Sequence, residues 1–508
     1  MAFRFEEPFF YIILQKTNTI NMKTINQLKP IEVFTQFNDI LKVPRPSKKE
    51  EKIILFLLDF AKKHKLTVKK DSVSNILITK AATKGFEKKQ TVVLQSHLDM
   101  VCEKNSNIKH DFDKDPITAI IDGDWITAKG TTLGADDGIG MAAQLALLAS
   151  KTIQHGKIEC LFTVDEETGL TGAFALKPGF FTGKTLLNLD SEDEGELFIG
   201  CAGGRDSVAT LKFENKKTPG KQVALKISVS GLTGGHSGDD IHKGYANSVK
   251  IATRFLWQIN ENYGIRLSSF DGGNLRNAIA REASAVFVVT SELPKKVIGD
   301  FELFSTAIKN EYAITEPNMA LTIELCEKPQ YVIDRKSQFK LLNALYACPH
   351  GVIAWSQEMP GLVETSTNLA SIKQISKNKF EVTTSQRSSV ESAKVDVVSM
   401  VSSVFLLAGF NVKNSNGYPG WKPNTNSKIL NISKTSYNKL FGKYPVVRAI
   451  HAGLECGLFL EKYPQLDMIS FGPTLRGVHS PSERLHIGTV QKFWDLLLEI
   501  LKNIPAGK

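Results

Sequence analysis

The chain has 508 residues, 42% hydrophobic and 23% charged, with a net charge of +10. That length implies two or more domains, and that balance excludes a long disordered or fibrous chain. The positive charge comes from lysines spread along the whole chain, with no zinc finger, RNP-type motif or basic helix beside them, so it describes a solvated surface and gives no support to nucleic acid as a partner.

Residues 1–22 are expected to be an upstream extension outside the fold. Their apolar run, residues 9–14, follows Glu6 and Glu7, precedes no small-residue cleavage site and is too short to span a bilayer, so no membrane partner is expected. Six cysteines, Cys102, Cys160, Cys201, Cys326, Cys348 and Cys456, form no Cys-x-x-Cys pair. Such sparse usage points to a reducing, cytoplasmic compartment and argues against thiolate metal sites and a disulfide framework.

Residues 50–63 place Ile53, Ile54, Phe56, Leu57, Leu58 and Phe60 at helical spacing. Residues 91–95, TVVLQ, suit a short buried strand. Residues 140–150 form a helix with Met141, Leu145 and Leu148 on one face. Residues 158–164, IECLFTV, and residues 185–189 are further buried strands. Strands separated by helices imply an α/β fold, a mostly parallel sheet with helices on both faces.

The pattern changes after Gly203. Residues 223–230 alternate as a half-buried strand, residues 246–260 are an amphipathic helix, and residues 282–290 alternate again. A similar order recurs as strand 320–326, helix 337–346 and strands 361–369 and 379–385. Two such units in succession imply an inserted α+β domain of two related halves, although no sequence repeat marks them. An apolar helix at 397–407, a helix end at 454–460 and a buried strand at 466–471 then resume the α/β pattern. The expected organisation is one α/β domain split into residues 23–202 and 396–508, with residues 203–395 inserted.

In open α/β sheets, ligands bind beyond the carboxyl ends of the strands. Here TVVLQ runs into Ser96-His97-Leu98-Asp99, and IECLFTV into Asp165-Glu166-Glu167. The strand at 185–189 leads to Asp190, and that at 466–471 leads through Gly472-Pro473 to His479. Asp136 and Asp137 precede the 140–150 helix. Singly, a loop histidine, an Asp-Asp-Gly turn and an acidic first turn of helix are commonplace. Together they gather like charges at one end of a sheet, where a cation is needed to neutralise them. Two imidazoles and three carboxylates suit zinc, with manganese or cobalt as substitutes.

The segments QSHLDMVCEKN, TTLGADDGIGMA, FTVDEETGLTGA, LNLDSEDEGELFIGCAGG, TGGHSGDDIHKGYANS and GPTLRGVHSPSERLHI together resemble the co-catalytic zinc metallopeptidases, a family that includes aminoacylase, tripeptidase and carnosinase. The resemblance runs from about residue 23 to the C-terminus. It implies a zinc exopeptidase fold in which the inserted domain is a lid. It implies two zinc ions, one on His97 and Asp190 and one on His479 and Glu167, bridged by Asp136. Asp99 would accept the second ring N–H of His97. A cis peptide would follow Asp136.

Glu166 would be the general base, close to two metals that acidify a water and free to pass its proton to the leaving amine. His236, among Gly234, Gly235 and Gly238, would polarise the scissile carbonyl from the lid. Asn277 and Arg387 would bind a free C-terminal carboxylate, which makes a dipeptidase the expected activity, with Xaa-His dipeptides among the substrates. The alternatives of the same fold are an N-acyl amino acid deacylase or a tripeptidase. From another class, a non-catalytic metal-binding relative has no reason to keep Glu166 beside five ligands. His236 and Arg387 come from different halves of the lid, so one chain could hold a complete site, as a monomer or in a homodimer. His451 and Glu455, four apart in HAGLECG, share a helical face without an assigned role.

Overall fold

The computed structural model describes residues 24–507, so the expected extension, residues 1–22, lies outside the described residues. The chain builds two large sheets. The first has eight strands in the order Thr67–Lys70, Ile76–Lys80, Ile158–Thr163, Val92–His97, Thr185–Asn188, Asp467–Ser470, Glu196–Cys201 and Val446–Ile450. The four strands from Ile158–Thr163 to Asp467–Ser470 are mutually parallel.

Burial on both faces explains their unbroken apolar runs. Val92 and Leu94 enter a core shared with the helices Ile31–Ile40, Ala135–Ala149 and Ile487–Asn503. Val93, between them, packs on the opposite face in a cluster with Phe181, Leu186, Cys456 and Phe459. All six cysteines are free. Among the described residues, no helix is long and apolar enough to cross a membrane.

The second sheet is antiparallel. Its order is Ala320–Cys326, Gln222–Ser230, Ala283–Thr290, Arg266–Gly273, Val363–Ser376, Lys379–Ser388, Gly203–Lys212 and Asn411–Asn414, with Gly351–Trp355 paired to Val363–Ser376. Helices Ser248–Tyr263 and Pro294–Glu311 pack with the first four strands and Glu391–Leu407 with the second group, while Arg335–Ala347 packs on the Ser248–Tyr263 helix and touches a strand of each group. The two halves meet across a short pairing, Gly272 with Ile372 and Gly273 with Ser371.

Sequence periodicity ends the insertion at residue 395. The Glu391–Leu407 helix nevertheless packs on this sheet, and Asn411–Asn414 pairs with Gly203–Lys212. We therefore propose that the inserted unit runs to the end of that short strand. An apolar helix has the same periodicity whichever sheet it covers, so its pattern does not mark the boundary.

The Ser248–Tyr263 helix shows how local signals place the lid core. Asn247 caps it by accepting from the Val249 and Lys250 N–H groups, and Gly264, at φ 60°, ends it. Val249, Ala252, Phe255, Leu256 and Ile259 form its buried stripe. The fully buried Phe255 ring lies edge-on to Phe301, with centroids 5.1 Å apart. Phe255→Ala is expected to destabilise this domain by about 3–5 kcal/mol, read as a lower urea midpoint for its unfolding.

Candidate metal centre

The five residues expected as ligands converge at the carboxyl end of the parallel strands. His97 is the last residue of Val92–His97. Glu167 and Asp190 follow Ile158–Thr163 and Thr185–Asn188, His479 follows Asp467–Ser470, and Asp136 lies in the first turn of Ala135–Ala149. Asp136 divides its oxygens between the two imidazoles. Oδ1 is 3.0 Å from His97 Nε2, and Oδ2 is 3.2 Å from His479 Nε2. Asp190 Oδ1 lies 3.6 Å from His97 Nε2, and Glu167 Oε2 lies 3.0 Å from His479 Nε2. The Asp136–Asp137 peptide is cis.

Backbone bracing holds this cluster. Asp99 Oδ1 lies 3.5 Å from His97 Nδ1, on the side of the ring away from Asp136. The Asp99 carboxylate also accepts the N–H groups of Glu166 at 3.0 Å and Glu167 at 3.2 Å, and the Ser47 hydroxyl at 2.7 Å. Burial opposes its ionisation, but the facing His97 ring, whose Nδ1 makes no hydrogen bond at this distance, and the three bonds bring it down to about 2. Asp165, at φ 51°, turns the chain ahead of Glu166, and its N–H donates to Glu50 Oε1.

Two further residues, given no role from the sequence although Glu483 lies within the segment GPTLRGVHSPSERLHI, hold the Asp136 loop. Glu483 is buried and accepts four backbone N–H groups, from Leu133, Gly134, Ala135 and Asp136, at 2.7, 2.9, 2.7 and 3.3 Å. The buried Arg45 guanidinium donates to the carbonyls of Leu98, Asp99 and Gly134.

The electrostatics fit a divalent cation. Burial disfavours a charged His97, yet Asp190, Asp136 and Asp99 hold its imidazole well above the ordinary range. Hydrogen bonds to Asp136 and Glu167 push His479 up to about 11. Burial raises the Asp190 carboxyl, and the charges of Asp137 and Asp136 add to the rise against the pull of His97. Burial, with Glu455 and Glu167 adding, pushes Glu166 up to about 8. A cluster that balances its charge with protons is one where a metal can displace them. Glu167 Oε1 is buried without a hydrogen-bond partner, and ligand atoms of His97, Asp136 and Glu167 all lie within 4.8 Å of one another. Oxygen and imidazole nitrogen in this ratio are donors for zinc or similar ions.

A second group lies on the lid. His236 sits in a loop after Gln222–Ser230 and pairs with Ala278, while Ser237 donates its N–H to the Asn277 carbonyl at 2.8 Å. Gly234 and Gly235, at φ 73° and 121°, make that turn. His236 Nδ1 accepts the N–H groups of Gly238 at 3.4 Å and Asp239 at 3.2 Å. With Nδ1 accepting, Nε2 is left as the donor of the ring, and it faces Arg387 Nη2 at 3.4 Å. Arg387 Nη1 donates to the Tyr418 hydroxyl at 2.9 Å. Asn277 joins the group through its backbone, and its side chain is exposed.

Among the described residues, no hydrogen bond or ion pair links His236, Asn277 or Arg387 to the five-residue cluster. His451 and Glu455 do not share a helical face, because the helix begins at Glu455 and His451 precedes its extended N-cap Leu454; the segment lies between the two groups. His451 Nε2 is 2.7 Å from the Ser366 hydroxyl of the lid. Burial keeps that imidazole neutral, down to about 3. The Glu455 side chain points the other way, to Gln95 and Thr163.

Residues 93–503 match the model of peptidase family M20/M25/M40. The chain is 43% identical to the cytosol non-specific dipeptidase of Escherichia coli (strain K12), over 96% of this chain and all of that protein. A crystal structure of aminoacylhistidine dipeptidase from Vibrio alginolyticus superposes with a TM-score of 0.90 at 44% identity, covering 96% of this chain and 99% of that one. Aminopeptidase PepT from Bacillus cereus, at 16% identity and a TM-score of 0.55 over 94% of this chain and 99% of that one, shares the fold.

The four N–H groups on Glu483 make it a sensitive point. Glu483→Ala is expected to leave buried donors unmet, at about 1–3 kcal/mol in thermal unfolding. It should also lower metal content after dialysis, because Asp136 is one of the four residues held.

Proposed function

The chain belongs to peptidase family M20/M25/M40, and within it we propose a two-metal dipeptidase that hydrolyses unblocked dipeptides, Xaa-His dipeptides among them. His97, Asp136 and Asp190 would hold one ion, and His479, Asp136 and Glu167 the other, zinc being the proposed metal and manganese or cobalt its substitutes. Ions bound there supply the positive charge that polarises the scissile carbonyl and acidifies the attacking water.

Glu166 acts as the general base. Asp99 holds its backbone N–H, and its carboxyl group lies beside the ligands without being one of them. Burial and neighbouring carboxylates raise its affinity for protons, and ions bound beside it would draw that affinity back down, so the carboxylate can take a proton from water and return it to the departing amine. Asp99 also faces Nδ1 of His97 and so orients the ring with Nε2 toward Asp136.

The observation that carries the substrate reading is the His236–Arg387 contact. Two N–H groups occupy Nδ1 of His236, so Nε2–H and the Arg387 Nη2–H are two donors standing 3.4 Å apart. A dipeptide supplies an acceptor for each: His236 would donate to the scissile carbonyl and Arg387 to the terminal carboxylate, the exposed Asn277 side chain being assigned to the same carboxylate. His236 comes from one half of the lid and Arg387 from the other, which supports a site complete in one chain.

The names of the Escherichia coli and Vibrio alginolyticus proteins favour a dipeptidase over a deacylase or tripeptidase. A cytoplasmic location is supported by six free cysteines and by the first of those names.

Histidine release from β-Ala-His and Gly-His by zinc-loaded enzyme, with a chelator control, tests the activity; two bound metals without release from either would move the substrate class. Glu166→Ala is expected to keep its metal content and lose at least about 100-fold in kcat. Arg387→Ala should raise KM for free dipeptides well above its effect on amidated ones, and equal effects would remove Arg387 from the carboxylate site.

A further inference from the structure

Glu455 has no part in the mechanism above, yet its carboxyl group is buried below the metal centre. Its Oε2 accepts from Gln95 Nε2 at 2.6 Å and from the Thr163 hydroxyl at 2.8 Å. Gln95 Oε1 in turn accepts from Asn188 Nδ2 at 2.5 Å. Glu455 Oε1 has no partner among the described residues, so this one chain of bonds holds the carboxyl group.

The two partners, Thr163 and Gln95, and Asn188, reached through Gln95, sit on three adjacent strands, Ile158–Thr163, Val92–His97 and Thr185–Asn188. Each lies just short of a residue assigned to the metals or to catalysis. Gln95 is two residues before His97, Asn188 two before Asp190, and Thr163 three before Glu166. Thr163 and Asn188 are the last residues of their strands. The backbone pairing of the three strands ends here, on the bonds from Leu98 N–H to the Thr163 carbonyl at 2.8 Å and from Leu189 N–H to the Gln95 carbonyl at 2.9 Å.

We propose that Glu455 is a positioning residue that ties the ends of the three ligand-bearing strands together, so that His97, Glu167 and Asp190 stand at metal-binding spacing. The tie acts beside the last rungs of the backbone pairing, just before the loops begin, and it comes from outside the three strands, on the first turn of the Glu455–Lys462 helix. A carboxyl oxygen suits the place because one acceptor atom takes two donors from different strands. The inference rests on the assignment of His97, Glu167 and Asp190 as ligands.

The test is a cobalt titration of the metal-free full chain, followed by visible absorption, with metal content measured after dialysis. Glu455→Ala is expected to weaken binding of at least one ion by about 10–100-fold and to alter the absorption bands. Glu455→Gln keeps a carbonyl oxygen for both donors and is expected to restore both signals. Thr163→Val, which removes one donor, should fall between. Leu458→Ala, in the same helix, should lower the melting temperature with cobalt affinity unchanged. Unaltered affinity and spectrum in Glu455→Ala would overturn the proposal. If that variant does not fold, unaltered affinity in Thr163→Val would do the same. Failure of the unaltered chain to bind cobalt would overturn the ligand assignment itself, before any question of Glu455 arises.

Discussion

Asp136 sets the main constraint on this molecule. Its two carboxylate oxygens face two imidazoles that arrive from opposite ends of the chain, 382 residues apart, His97 and His479. Three acids and two imidazoles in so small and buried a space repel one another unless charge is balanced. The surrounding structure answers with backbone bonds instead of counter-charges. Arg45 is close enough to be a counter-ion, yet its guanidinium is taken up by carbonyl oxygens of the loops that carry the ligands. Glu483 similarly uses its carboxylate on backbone N–H groups. Both grip the loops and leave the ligand atoms free for a cation.

Asp99 shows how few groups serve this arrangement. One oxygen faces the His97 ring while the same carboxylate caps the turn that carries Glu166 and Glu167. The proposed base and two ligand residues are thus positioned by a single side chain. A change at Asp99 would disturb all three together, so activity lost on its substitution would not by itself assign it a role in proton transfer.

The fold class was legible because the central strands are buried on both faces and read as unbroken apolar runs. The cluster was legible because acid or imidazole residues follow those strands one after another. The bracing residues were not. Glu483 sits four residues after His479 in a loop, and nothing in its neighbours indicates that it bonds to a turn 347 residues away. Arg45 lies in a short polar stretch, where an arginine ordinarily reads as solvated. The end of the inserted unit was hidden for a related reason. The Asn411–Asn414 strand is four residues long, too short for alternation to distinguish it from a loop.

The lid raises a separate question of why two donors should be held 3.4 Å apart. Left alone, His236 and Arg387 would turn aside, because Nε2–H and Nη2–H have nothing to offer each other. The chain prevents this on both sides. The Gly238 and Asp239 N–H groups occupy Nδ1 and fix the histidine ring, and the Tyr418 hydroxyl holds the far arm of the guanidinium. Gly238 also runs so close to the His451 carbonyl that a Cβ there would lie 2.1 Å from the oxygen, which seats the lid loop against the α/β domain. Three backbone or side-chain contacts thus keep two donors side by side, which is what the proposed reading requires, with the scissile carbonyl of a dipeptide meeting His236 and its terminal carboxylate meeting Arg387.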